Sequence, residues 1–297
     1  ACHKDDTTVA PPRDFAVQYG VEKAEIEQYM QTHYMMVDAD YNVTFDTIIN
    51  SNHVSIWDQT DYPKKKKLVT SNSVTYDVWY IVINPGVGEA PTRADEALVS
   101  YRGTLLDGTQ FDYLPYPQNY SSLLSTIEGW QEIIPLFRGG QYVDANGADP
   151  ASFQNYGAGV MFLPSGLGYY NLATANAPSY SSMIFTFKMY DQKSMDTDGD
   201  GILNKYETVS STDLETYPMG YVDLNDYDTD GDGTPNYKDT DDDNDGYPTL
   251  RELKRPVGID TDGDGVLDSF YYDYNAPQIM CGTVPNYLST ECVAPNE

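Results

Sequence analysis

Four stretches in the last third of the chain repeat Asp-x-Asp-x-Asp-Gly: Asp196, Asp198 and Asp200; Asp228, Asp230 and Asp232; Asp241, Asp243 and Asp245; and Asp260, Asp262 and Asp264. Alternate carboxylates on a tight loop converge on one point, and the glycine after the third aspartate permits the sharp turn. Hard oxygen ligands in that number suit Ca²⁺. The twelfth position of each loop can close the shell. It is Glu207 in the first loop, Asp239 in the second and Glu252 in the third, whereas the fourth has Tyr271, with Asp268 or Asp273 as the candidate substitute. The expected cofactor is therefore structural calcium, with none for catalysis.

A second set of residues points to different chemistry. Tyr101, Phe111, Asp112, Ile127, Trp130, Tyr169 and Phe185 lie in segments that read VSYRGTLLDGTQFD (99–112), IEGWQEIIPLFRGG (127–140), FLPSGLGYY (162–170) and APSYSSMIFTFKM (177–189), preceded by YIVINPGVGEAPT (80–92). Taken in this order, the five segments resemble the FKBP-type peptidyl-prolyl cis-trans isomerases, over about residues 76–190. The resemblance implies an α+β fold: an antiparallel half-barrel sheet wrapped on a short helix, enclosing an apolar pocket for a prolyl ring. It places Trp130 at the floor, with Phe111 and Phe185 at the sides. The Ile127 N–H would hold a substrate carbonyl and the Tyr169 hydroxyl would hold the same chain. Tyr120 or Leu123 would close the remaining side. The sequence departs from the family pattern at Tyr170, which replaces a glycine, and at 141–158, which read as an insertion. No arginine stands where the family pairs one with the Asp112 position.

The residue types fit this chemistry on their own terms. Resonance gives the peptide C–N bond a rotation barrier of about 18–20 kcal/mol. The cis and trans forms of an X-Pro bond are close in energy, so a catalyst need only lower that barrier. The twisted amide is less polar than the planar one, and an aromatic, water-excluding pocket favours it. The three histidines, His3, His33 and His53, lie outside the middle region, and neither a serine-nucleophile motif nor a phosphate loop is found.

The elements that must position these side chains follow from the pattern. Residues 14–35 read as a helix without a strong apolar stripe, suited to docking more than to a core. Residues 41–57 look strand-like, and 61–67 read as a turn carrying four lysines, a solvated loop or a contact for the acidic C-terminal part. Strands are expected at 74–84, 97–101, from 111, at 160–163 and 182–189, with one helix at 125–137 stopped by Gly139 and Gly140. The domain reading is a tether (1–13), a helical extension (14–75), the FKBP-like region (76–191), the Asp-rich repeats (192–275) and a tail (276–297).

Charge separates the last third from the rest. The whole chain carries a formal net charge of -29, and residues 192–297 hold 24 Asp+Glu against 6 Lys+Arg. Such a surface repels phosphate, which argues against a nucleic-acid partner. The flanks of the Asp-rich loops are short and rich in Tyr and Pro, so the region resembles thrombospondin type-3-like repeats more than EF-hands. That resemblance implies a loop-rich, calcium-stabilised C-terminal domain acting as a rigid spacer or docking surface. Cys2 near the start, followed by a polar tether, resembles a bacterial lipoprotein after signal cleavage, with the lipid on Cys2 as membrane anchor. An exported protein would pair Cys281 with Cys292, whereas a cytosolic one would leave three thiols.

The expected partners are proline-containing peptides or unfolded exported proteins in the bacterial cell envelope, with a homodimer through the N-terminal extension. The alternative is a non-enzymatic peptide- or partner-binding lipoprotein on the same fold.

Overall fold

The computed structural model describes residues 11–50, 52–207, 224, 227–253 and 280–292. The chain divides into two compact units: residues 1–90, 97–121 and 125–192, and residues 91–96, 122–124 and 193–297.

The first unit is α+β and is built on one antiparallel sheet. Its elements in chain order are α1 (Phe15–Thr32), β1 (His33–Val37), β2 (Val43–Thr47), β3 (Lys64–Ser71), β4 (Val74–Asn84), β5 (Glu96–Leu105), β6 (Gln110–Leu114), β7 (Ser121–Ser122), α2 (Glu128–Ile133), β8 (Gln141–Val143), β9 (Ser152–Gln154), β10 (Gly157–Leu163) and β11 (Met183–Lys193). The strand order is β3-β4-β10-β11-β5-β6, with β7 on β5. The β-branched and aromatic run at 74–84 forms β4 over its whole expected length. β10 is buried throughout, as a central strand covered on both faces must be. Successive side chains of β11 alternate between those faces. Phe185 and Phe187 meet Trp130 and Phe137 on one side. Ile184 joins Ile26, Tyr29, Met30, Ile81 and Phe162 on the other.

Three expectations change. The N-terminal helix is no mere docking element. It buries Gln18, Glu22, Ile26, Tyr29 and Met30 along one face. The stripe has helical spacing, but its first two members are polar, which hides it from a search for apolar periodicity. The four lysines form no loop; they open β3, which pairs residue by residue with β4. Lys66 reaches Asp77 at 3.2 Å and Lys67 reaches Glu132 at 2.8 Å, so their partners lie in the first unit. That pairing also leaves no break in the sheet at the expected boundary after residue 75. The helix expected at 125–137 is only six residues long, because Pro135 lacks the N–H that would continue it and the chain tightens into a 3₁₀ turn at Ile134–Leu136. The stretch at 141–158 is filled by the β8–β9 hairpin and the start of β10.

In the second unit, three of the Asp-rich loops each run into one helical turn: Asn204–Tyr206, Asn236–Lys238, and α3 (Thr249–Glu252). Its apolar seam is thin, with Ala94, Leu224 and Tyr237 buried together. β12 (Met280–Cys281) and β13 (Val284–Pro285) close the described part, where Cys281 and Cys292 form a disulfide. No helix among the described residues is long and apolar enough to cross a membrane.

Candidate functional site

Trp130 sits in the first turn of α2, one position beyond Gly129. A Cβ at Gly129 would stand 2.5 Å from Leu163 Cδ1, so glycine lets α2 lie against β10 at this point. The indole is 7% exposed. Tyr101 from β5 meets it edge-on with ring centroids 4.9 Å apart, and Phe185 from β11 does so at 5.4 Å. Phe111 from β6 meets Phe185 at 5.4 Å. Edge-to-face pairs of this kind contribute about 0.5–1.5 kcal/mol each beyond the area they bury. Gly103, opposite Asp112, leaves room for both phenylalanines; a Cβ there would lie 2.7 Å from the Phe111 ring.

The polar groups stand at the rim of this cluster. The Tyr101 hydroxyl donates to Asp112 Oδ2 at 2.8 Å, which occupies the exposed carboxylate in place of the missing arginine. Burial, reinforced by Asp112, holds the Tyr101 hydroxyl above its ordinary pKa and raises that of Tyr169 as well. Ile127 is the N-cap of α2 and carries no side-chain cap. Among the described residues its N–H meets no acceptor, so the donor is available to a carbonyl. Asn176 donates to the Phe111 carbonyl at 3.3 Å and ties the loop before β11 to β6. Of the two residues expected to close the remaining side, Tyr120 is engaged elsewhere: its hydroxyl donates to Asp191 at 2.6 Å.

Five of the seven expected pocket residues, Tyr101, Phe111, Asp112, Trp130 and Phe185, are joined by these ring contacts and the Tyr101–Asp112 bond. Ile127 is three residues from Trp130, and its carbonyl accepts the Trp130 N–H at 2.9 Å. Tyr169 takes no part in these ring contacts; burial, with Asp112 adding to it, raises the pKa of its hydroxyl. A cleft of about 500 Å³ is lined by Tyr101 together with tyrosines including Tyr41, Tyr156 and Tyr190 and by Lys188. It contains no residue of α2.

The segment that bears Tyr169 is held from an unexpected direction. Ser165 donates both its N–H, at 2.9 Å, and its hydroxyl to the Glu22 carboxylate of α1. Tyr170, which stands where a glycine was expected, has φ 49° and stacks on Phe15 with centroids 3.9 Å apart. Neither partner had a signal in the sequence beyond the polar members of the α1 stripe.

In the second unit the structure gathers Asp196, Asp198 and Asp200, then Asp228, Asp230 and Asp232, then Asp241, Asp243 and Asp245; within each set one ligand oxygen per residue lies within 4.8 Å of the others. The turn that closes each loop is the same, with φ 96° at Gly201, 97° at Gly233 and 92° at Gly246. Glu207 gathers with Asp200 and with Asp242, a residue not among those expected. Asp239 and Glu252 lie outside these groups; one Glu252 oxygen accepts from Asn286 at 2.7 Å. Asp260, Asp262, Asp264 and Asp268 lie outside the described residues. Burial is the largest cause that raises the pKa values of Asp200, Glu207 and Asp242 well above the usual carboxylate range, with repulsion between these carboxylates adding to it. Buried carboxylate oxygens without a partner, among them those of Glu207 and Asp242, fit a donor set for a hard divalent cation.

Comparison with known proteins places both parts among relatives. The family described as BamM C-terminal matches residues 197–285. The FKBP-type peptidyl-prolyl cis-trans isomerase FkpA of Escherichia coli (strain K12) is 26% identical over 191 residues, which cover 63% of this chain and 64% of the relative. The peptidyl-prolyl cis-trans isomerase Mip of Coxiella burnetii is 40% identical over 63 residues, 20% of this chain and 27% of that protein. Among solved structures, the crystal structure of FkpA from Escherichia coli shares 27% identity, with a TM-score of 0.32, over 42% of this chain and 51% of that one. The chain is thus similar, at modest identity, to FKBP-type isomerases, and it spans 64% of the length of the curated FkpA relative.

Proposed function

We propose that the first unit is a peptidyl-prolyl cis-trans isomerase that acts on proline-containing segments of exported proteins. The observation that carries this reading is the Trp130–Tyr101–Phe185–Phe111 cluster beside an Ile127 N–H that meets no acceptor among the described residues. The similarity to isomerases such as FkpA supports it.

The work of such a site falls on this chain's own groups. A prolyl ring would rest on the indole of Trp130, with Phe111 and Phe185 at its flanks. The Ile127 N–H would hold a carbonyl of the bound chain, and the Tyr169 hydroxyl a second. With those points fixed, the amide between them is the bond that turns. Loss of amide resonance lowers its polarity, so an apolar ring box disfavours the planar ground state relative to the twisted form. No proton has to move.

A protease-coupled proline isomerisation assay on the full chain tests the reading, with Trp130→Leu and Phe111→Ala as variants. Acceleration by the parent chain and its loss in both variants is the expected result. A parent rate no faster than the uncatalysed reaction would leave a peptide-binding module on the same fold.

In the second unit, Asp196, Asp198, Asp200 and Glu207, Asp228, Asp230, Asp232 and Asp239, and Asp241, Asp243, Asp245 and Glu252 would hold structural calcium, with Asp260, Asp262, Asp264 and Asp268 as a fourth set. The ion would supply charge neutralisation and shape, not catalysis. Export to the bacterial cell envelope and a lipid on Cys2 belong to the same proposal, and the Cys281–Cys292 disulfide suits an oxidising compartment. A homodimer through the N-terminal segment would use Val17 and Val21, which are exposed, because Ile26, Tyr29 and Met30 face the sheet of their own chain.

A further inference from the structure

The first and third Asp-rich loops differ in one internal pair. In the first loop the second position is Thr197 and the ninth is Asn204, whose Oδ1 accepts the Thr197 N–H at 2.8 Å and whose Nδ2 donates to the Thr197 hydroxyl at 2.8 Å. The second loop repeats this with Thr229 and Asn236, at 2.9 Å for both bonds. In the third loop the pair is exchanged in kind: Asp242 takes the second position and Thr249 the ninth. The Thr249 hydroxyl accepts the Asp242 N–H at 3.1 Å, so the backbone bond survives. The Asp242 carboxylate is left without a partner inside its own loop.

That carboxylate is 2% exposed, and among the described residues neither of its oxygens has a hydrogen-bond partner. Glu207, also 2% exposed, has two oxygens and Asp200 one that meet no partner among the described residues. One oxygen each from Asp200, Glu207 and Asp242 lie within 4.8 Å of one another. Two oxygens on opposite sides of a Ca²⁺ ion, each at about 2.4 Å, are separated by about this distance. Three buried like charges at such spacing are strongly unfavourable without a cation between them.

We propose that the cation of the first loop is shared with the third: Asp242 reaches across and completes a shell begun by Asp196, Asp198, Asp200 and Glu207. The proposal rests on the calcium reading of the loops and adds a ligand that lies outside the loop it serves. It makes the first and third loops one cooperative calcium-binding body, in which the third loop cannot unfold without opening the site of the first. The second loop, whose second position is Thr229, has no such reach.

The test uses the full chain and calcium chloride as the probe. Isothermal titration after chelator treatment counts binding events, and scanning calorimetry in chelator and in calcium measures stability. Asp242→Asn keeps size and removes charge. It should weaken one binding event by at least the roughly tenfold loss typical of removing even an outer-shell metal partner. It should also raise the melting temperature in chelator, because a buried charge is gone, while lowering it in calcium. A residue that merely packs would move both melting temperatures the same way. The double variant Asp242→Thr with Thr249→Asn rebuilds the internal pair of the other loops. It should keep the third loop's own binding event and still lose affinity at the first. If Asp242→Asn binds calcium as tightly as the parent, with the same gain in melting temperature, the shared site is overturned while the loops remain calcium sites. If the parent itself binds no calcium, the underlying reading fails, and the shared site fails with it.

Discussion

Glu22 accepts two hydrogen bonds from Ser165, from its N–H and from its hydroxyl, across 143 positions of sequence. Gln18, one helical turn earlier, donates to the same carboxylate at 2.8 Å. The helix that precedes the sheet therefore fixes the turn that carries Tyr169. An N-terminal extension that looks optional in sequence is a support of the candidate site, and Tyr170, which departs from the family pattern, has its partners Phe15 and Arg13 there.

The Glu22 carboxyl is almost fully buried, and desolvation raises its pKa in spite of the three hydrogen bonds. A carboxyl whose folded pKa exceeds its unfolded value binds more protons in the native state across that window. Stability therefore falls as pH rises from the unfolded value, about 4.3, through the folded one, and is level above it. Glu22→Gln should abolish that slope. Urea denaturation from about pH 4 to about pH 8 measures it, and tryptophan fluorescence isolates the first unit because Trp57, Trp79 and Trp130 all lie there. An unchanged slope in the variant would mean that Glu22 is ionised at no cost.

Tyr170 sets two effects against each other. Its φ of 49° costs a non-glycine residue about 1–2 kcal/mol. Its ring is buried on Phe15, and deleting a buried aromatic side chain costs about 3–5 kcal/mol. Packing wins, so Tyr170→Gly should destabilise the first unit. Tyr170→Ala should be worse than Tyr170→Gly, because alanine loses the ring and keeps the strain. In regular strands or helices glycine is the poorer choice, so equilibrium unfolding of the two variants separates this account from simple loss of contacts.

What the sequence made legible was the part of the fold dominated by local pattern. The run from Val74 to Asn84 carried its own strand signal, whereas the grouping of Tyr101, Phe111 and Trp130 came from the family resemblance and not from any local pattern. What stayed hidden was decided by distant partners. Gln18 and Glu22 belong to the buried stripe of α1 only because Arg13, Ser165 and each other satisfy them. Lys64 looks like a loop residue until Trp57 supplies both a carbonyl at 2.6 Å and a ring face. Asp242 was one more aspartate in an acidic run; only the threonines at the matching positions of the other loops marked it as different.

The rings and the hydroxyl of the candidate site should separate under mutation. Tyr101→Phe keeps the edge contacts to Trp130 and Phe185 and removes only the bond to Asp112. That bond is exposed, so its loss should cost no more than about 0.5–1.5 kcal/mol of stability, and isomerase activity should stay within a few-fold of the parent. Trp130→Leu removes the floor and should abolish activity. Urea denaturation of each variant beside the assay shows whether activity is lost through the site or through unfolding. Equal loss of activity in Tyr101→Phe and Trp130→Leu would move the catalytic weight from the rings to the hydroxyl.

The described residues of the second unit are held largely by the Asp-rich loops themselves. Among its described residues the buried apolar side chains are few, while Asp200, Asp242, Asp243, Glu207 and Glu252 are buried with oxygens that meet no described partner. Carboxylates in that number repel each other unless a cation intervenes, and binding that exists only in the folded state stabilises by mass action. Chelator should therefore unfold the second unit while the tryptophan signal of the first unit persists. Circular dichroism and limited proteolysis of the full chain, with and without excess calcium, read the two units separately: cleavage should appear within 193–297 in chelator and vanish on adding calcium. The disulfide should slow but not prevent this opening, because it closes only the segment between Cys281 and Cys292 and leaves all three described loops outside it. Identical spectra and cleavage patterns in the two conditions would show that the buried carboxylates are held neutral by protons, and that the second unit needs no metal to fold.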